Sequence, residues 1–322
     1  MSTRRAEQRG GSRHPERQQP APRPPSYPLP KDTVAAWRAV KGRGPLNAGL
    51  VFDRFVANWG DPFDPQSRRD RREGPKGETW RELVEAGKGV DADLLTACLQ
   101  RWQAVVERAR GRPFALRTDW RLVTGLGRGG PLEAGFAFSR HGSPILPGSG
   151  LKGVARAWGL RQVARAVGVK ELGKLEQVLS AAGDWEKDWR EQLGEMDITS
   201  SAFDFRLIFG TTAEAGRAIF FDGMPKPGVK LDLDIMNPHY PEYYAGRDAP
   251  TDSQNPRPVT FLTVAPGSEF VFAVGWRGRW DDQARELLEV AGRWLRQGLL
   301  HLGAGAKTSA GYGYFVAAAE GS

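Results

Sequence analysis

The stretch Gly303–Gly313, GAGAKTSAGYG, decides how this chain is read, because it can be a nucleotide-binding loop or a connection between a helix and a last strand. Four glycines in eleven residues let backbone N–H groups approach a ligand without Cβ interference. Lys307 adds a charge, and Thr308 and Ser309 add hydroxyls; the combination suits an anion. A nucleotide-binding P-loop needs glycine directly before its lysine and a helix after it. Here Ala306 precedes Lys307, and YGYFVAA after the loop patterns as a strand. Both requirements fail, leaving an anion cradle or a plain glycine-rich link.

Upstream of this stretch, Ala284, Leu287, Leu288, Ala291, Trp294, Leu295 and Leu299 keep a 3.6-residue period. They predict a helix over 281–298, started by Asp281 or Asp282. Before it, Val259–Val264 and Glu269–Trp276 predict two strands joined by Ala-Pro-Gly-Ser, and Phe270, Phe272, Val274 and Trp276 form one apolar face of the second. Leu207–Phe209 and Ala218–Phe221 read as further short strands. Residues 224–258 are rich in Pro and Asp and too long for a simple connection, which predicts an inserted arm that touches a partner.

A second glycine-bearing segment, PILPGSGLKGVARAW, spans Pro144–Trp158. Ser149 is the expected N-cap, and Leu151, Val154, Ala155 and Trp158 form the buried stripe of the helix that follows. Lys152 and Arg156, four residues apart, share another face. Gly148 and Ser149 at a helix N-terminus beside two cations make an anion site, although a capped amphipathic helix with solvated charges gives the same pattern. Phe114–Thr124 predicts a strand running into GLGRGG at 125–130. That segment is formally a G-x-G-x-x-G, but Pro131-Leu132-Glu133 opens no helix, so a Rossmann fingerprint is rejected in favour of a tight turn presenting Arg128.

The chain has 322 residues and a formal net charge of +8. Residues 1–31 hold seven Lys/Arg, two Asp/Glu and seven prolines, so most of the excess charge sits in a basic arm expected to be disordered. A basic binding face on the remainder must therefore be argued locally. Residues 32–112 pattern as helices, most clearly Asp91–Arg110. With no apolar run of membrane-spanning length and no signal-peptide core in MSTRRAEQRGG, a soluble cytoplasmic protein with no membrane partner is expected. Cys98 is the sole cysteine, which excludes an intrachain disulfide. A metal-dependent nuclease can be drawn from Asp222, Asp232, Asp234 and His239, but Asp232 and Asp234 alternate with apolar residues as an ordinary edge strand does. No metal, cofactor or acid–base pair is expected.

The residues also resemble a known family. LPGSGLKGVAR at Leu146–Arg156 looks like the PGSSLKG segment of the RAMP superfamily of CRISPR-associated proteins, with Gly150 in place of a second serine, and GAGAKTSAGYGYF looks like their C-terminal glycine-rich loop. The order RLVTGLG, PLEAGFAF, FGTT, GRAIFFDGMP, LDLDIMNPHYPEYY and PVTFLTV resembles the sixth subunit of the type III-B (Cmr) effector complex, from about Trp120 to Val316. The resemblance implies an α+β, ferredoxin-like (RRM-like) core within residues 113–322, after a helical elaboration at 32–112. Strand 114–124, helix 151–167, strand 218–222, strands 259–276, helix 281–298 and strand 312–318 fit its interrupted β-α-β-β-α-β order. It further implies a non-catalytic subunit capping the crRNA 3′-proximal end. The implied partners are crRNA, target RNA, the backbone RAMP subunit, the small helical subunit and the other terminal RAMP subunit. Arg128, Gly148, Ser149, Lys152, Arg156, Gly303, Gly305, Lys307, Thr308, Ser309, Gly311 and Tyr312 would hold RNA. A crRNA-processing or target-cleaving endoribonuclease of the same class is the alternative.

Overall fold

The computed structural model describes residues 29–44, 46–57, 76–88, 91–130, 134–194, 196–236 and 259–318, with Tyr27 and Leu132. The basic arm up to residue 26, the inserted arm from 237 to 258 and His239 lie outside the described residues. Among the described residues, four helices come first: α1 (Lys31–Val40), α2 (Ala48–Arg54), α3 (Lys76–Lys88) and α4 (Ala92–Arg108). Asp91 caps α4 as its position predicts, accepting from the Asp93 and Leu94 amides at 2.9 and 3.0 Å.

Strand β1 (Phe114–Thr118) follows, then α5 (Gly148–Val167), α6 (Leu172–Ser180), α7 (Trp185–Leu193) and α8 (Ser200–Phe209). Next come β2 (Ala218–Phe220), β3 (Met224–Pro225), β4 (Leu231–Met236), β5 (Val259–Val264), β6 (Glu269–Phe272) and β7 (Val274–Trp276). Helix α9 (Asp282–His301), a 3₁₀ turn at Thr308–Ala310 and β8 (Phe315–Ala317) close the described chain. Asp281 caps α9 by accepting from the Ala284 amide at 3.0 Å.

The central sheet has the order β3-β6-β1-β8, all antiparallel, with Leu116 of β1 opposite Phe270 on one side and Ala317 on the other. Phe315 meets Phe270 and Phe272 nearly edge-on in its core, with centroids 6.2 and 5.3 Å away. Helices α5 and α9 cross closely because Gly159 presents no side chain to Trp294; a Cβ there would lie 2.6 Å from that ring. One buried apolar cluster runs from Trp37, Phe52 and Leu83 through Phe270 to Leu295, so the N-terminal helices share a core with the sheet and its helices.

The structure corrects several expectations. Leu207–Phe209 is the end of α8, because Ala202, Phe205, Ile208 and Phe209 recur at helical spacing and are buried together. The strand at Ala218–Phe220 pairs with β7 in a separate two-stranded sheet, and it is Met224–Pro225 that extends the central sheet beside β6. The first strand ends at Thr118, after which the chain keeps only a single bridge from Leu122 to Val264. Downstream, Phe138 and Pro144 form an isolated bridge. The final strand starts at Phe315, since Gly311–Gly313 form a turn.

Candidate nucleic-acid interface

The two glycine-bearing segments, 155 residues apart from Gly148 to Gly303, face each other in the fold. They border a groove of about 510 Å³ whose walls include Thr124, Gly125, Ser149, Gly153, Gly303 and Thr308. One wall is the first turns of α5; the other is the loop that leaves the C-terminal end of α9.

The loop is held by its own backbone. Ala304 N–H donates to Gly313 O at 2.8 Å, Ala306 N–H to Val123 O at 2.8 Å, and Gly313 N–H to Arg121 O at 2.9 Å. Ala310, Gly311 and Tyr312 donate within the loop, so these amides are not available to a ligand. Among the described residues, the amides of Gly305, Lys307, Thr308 and Ser309 make no hydrogen bond. Gly313 must be glycine: at φ +74 a Cβ would overlap the Ala304 carbonyl oxygen. Lys307 itself is left-handed, at φ 59.

At α5 the N-cap is Pro147, with no side-chain cap, and Ser149 sits inside the first turn rather than capping it. Asp222 does the capping from across the chain, its Oδ1 accepting from Gly148 N–H at 2.6 Å, so the Gly148 amide is already engaged. The amides of Ser149 and Gly150 have no partner among the described residues and lie on the groove wall.

The cations are placed less evenly. Lys152 and Arg156 point away from the groove. The Lys152 Nζ donates to Phe209 O at 2.9 Å, and burial, then Arg156, then Arg277 push its pKa down. Arg156 pairs with Glu176, donates to Ser180 Oγ at 2.6 Å and lies 5.2 Å over the Phe205 ring. Both pin α5 to α8 and α6. Arg128 is exposed at its turn and packs its stem against the position of Gly125, on the groove rim. Lys307 lies 5.6 Å over Phe261, with its Nζ 3.8 Å from Met236 Sδ. Gly311 is exposed at the loop's outer turn, and the Tyr312 ring packs beside Phe261 at 6.0 Å.

A network that sequence reading missed fastens this loop to the β4–β5 ribbon. Tyr312 donates to Asp234 Oδ2 at 2.7 Å; Arg121 pairs with Asp232 at 2.9 Å and with Asp234 at 3.6 Å, and also donates to Leu233 O. Burial first, then the bond to Asp234, pushes the Tyr312 phenol up to about 12. Two of the three carboxylates drawn for a metal, Asp232 and Asp234, are thus occupied by Arg121 and Tyr312, and the third, Asp222, accepts from Gly148 N–H; among the described residues no cluster of His, Cys, Asp or Glu has the makings of a metal site. Arg121 has no distinctive spacing in the sequence, and the alternation of Asp232 and Asp234 with apolar residues reads as an ordinary edge strand, so nothing local announces this network. No described helix is long and apolar enough to cross a membrane.

The groove sits on a mixed helix-and-antiparallel-sheet fold, and the model of the RAMP superfamily matches residues 116–316. The chain belongs to the RAMP superfamily. It is 35% identical over 232 residues to CRISPR system Cmr subunit Cmr6 of Pyrococcus furiosus, a match covering 62% of this chain and 66% of that relative's length. Among solved structures, the crystal structure of Cmr6 from Pyrococcus furiosus is 30% identical with a TM-score of 0.44, covering 64% of this chain and 97% of that one. A chain in the type III-B Cmr-beta complex bound to cognate target RNA is 19% identical with a TM-score of 0.51, covering 80% and 75%, a likeness of fold.

Proposed function

We propose that the chain is a non-catalytic RNA-binding subunit of a type III-B CRISPR (Cmr) effector complex, working in the cytoplasm. In this reading it caps the crRNA 3′-proximal end beside the backbone RAMP subunit. It also meets target RNA, the small helical subunit and the other terminal RAMP subunit, the arm, which β3 and β4 cut back from 224–258 to 237–258, supplying a protein contact. The identity to Cmr6 supports membership of such a complex. The observation that carries RNA binding is the groove with unengaged amides on both walls, those of Ser149 and Gly150 on one and those of Gly305 and Thr308 on the other. Donors so spaced suit consecutive phosphates of an extended strand better than one compact nucleotide. The strand order β3-β6-β1-β8, with α5 and α9 packed together, supports a ferredoxin-like core.

A cleaving subunit is disfavoured because Arg121 and Tyr312 engage Asp232 and Asp234. Two measurements test the assignment. crRNA crosslinked within an assembled complex is expected to map to 147–150 and 305–309, and crosslinks confined to other subunits would refute it. The purified chain is expected to leave RNA intact with or without Mg²⁺; cleavage lost in Asp234→Asn would establish the nuclease instead.

A further inference from the structure

A second basic and aromatic site lies on the opposite half of α9. Arg110, Arg112 and Arg285 line a cavity of about 260 Å³ around Trp280. The Arg110 guanidinium lies 5.0 Å and the Arg285 guanidinium 5.9 Å from the Trp280 ring centroid. Phe114, Val274 and Leu288 supply an apolar lining, and Arg296 lies 5.8 Å over Phe114. Among the described residues, Glu289 is the one acidic residue on the wall, and Asp282 pairs with Arg285. Among the described residues, Arg110 and Arg112 have no carboxylate partner, so two guanidiniums stand unneutralised. The site is also rigidly built. Arg110 is left-handed at φ 62 just after α4, and the adjoining Ala109 carbonyl accepts from Trp276 N–H at 2.8 Å. That bond ties the arginine-bearing turn to β7.

We propose that this cavity binds one nucleotide of single-stranded RNA, its phosphate on Arg110 and Arg112 and its base on the apolar wall beside Trp280. A nucleotide joins a flat apolar body to an anion at short range, which matches both halves of the cavity. An acidic peptide would use the guanidiniums and leave the apolar half unfilled. The site is separate from the groove: Leu288 and Leu302 are fourteen residues apart along and just past α9, on the order of 20 Å at 1.5 Å per residue. The chain would then touch RNA at two places.

The test uses the full chain and a labelled single-stranded oligouridine. Arg112→Ala and Arg110→Gly, the glycine keeping the left-handed backbone, are each expected to weaken binding about fivefold near 0.15 M salt. Each should make the dependence of log K on log salt shallower by about 0.7, one phosphate contact on a single strand. Bromouridine-substituted RNA is expected to crosslink to the peptide containing Trp280, and to keep doing so in variants of the groove. Failure here is therefore distinguishable from failure of the groove. Unchanged affinity in Arg112→Ala, an exposed position whose variant should keep its circular dichroism and melting temperature, would overturn the proposal whatever Arg110→Gly does to folding. So would oligoglutamate binding that is lost in Arg112→Ala while RNA binding is not, which would assign the cavity to an acidic protein segment.

Discussion

The Tyr312 hydroxyl donates to Asp234 Oδ2 at 2.7 Å, joining the C-terminal glycine loop to a strand 78 residues earlier. The loop's position over the groove thus depends on the β4–β5 ribbon, from whose end the inserted arm departs.

Removing that hydroxyl tests the link. Tyr312→Phe is expected to lower unfolding free energy by about 1.5 kcal/mol, the usual range for a hydrogen bond to a charged group, measured by urea denaturation. The phenol should titrate near 12 rather than 10.0 in an ultraviolet pH titration of the folded chain. With the folded value raised, this contribution is fully present below pH 10 and fades as pH rises toward 12. A phenol titrating at its ordinary value would show that the hydrogen bond is not formed in solution.

Arg156 holds Glu176, Ser180 and the Phe205 ring together and does not reach the groove. Arg156→Ala is expected to lose about 1–2 kcal/mol of stability, with RNA affinity of the folded variant changed less than twofold. A large affinity loss at unchanged melting temperature would place Arg156 on the RNA.

Gly313→Ala forces a Cβ onto the Ala304 carbonyl oxygen at positive φ. The expected cost is about 2 kcal/mol or more, together with loss of RNA binding, because the Ala304–Gly313 bond closes the loop. Thermal melting beside RNA titration checks it; a variant as stable as the parent would mean that the loop relaxes freely.

Much of the framework is legible in local pattern. The period of Ala284, Leu287, Ala291, Trp294 and Leu295 predicts α9, and all five are buried. Asp91 and Asp281 announce helix starts that their side chains make. Short apolar runs carry no such information: Leu207–Phe209 has too few residues to display its helical period, and Ala218–Phe220 gives no sign of which strand it will join. The meeting of Gly148–Gly153 with Gly303–Thr308 follows from sequence only through family resemblance. What the cations do was hidden for a related reason. Lys152 reaches Phe209 O, 57 residues on, and Arg121 reaches Asp232 and Asp234, more than 100 residues on. Partners so distant leave no spacing signal, so cations occupied by the protein look the same in sequence as cations free for a ligand.

We propose that the groove between α5 and the glycine loop grips the RNA backbone. The most direct test is the salt dependence of oligouridine affinity in Arg128→Ala/Lys307→Gly, a variant that leaves the loop's backbone hydrogen bonds in place. Two lost phosphate contacts should weaken binding at least tenfold near 0.15 M salt and make the slope of log K against log salt shallower by about 1.4. A slope and affinity equal to the parent's, in a variant with unchanged melting temperature, would contradict the account.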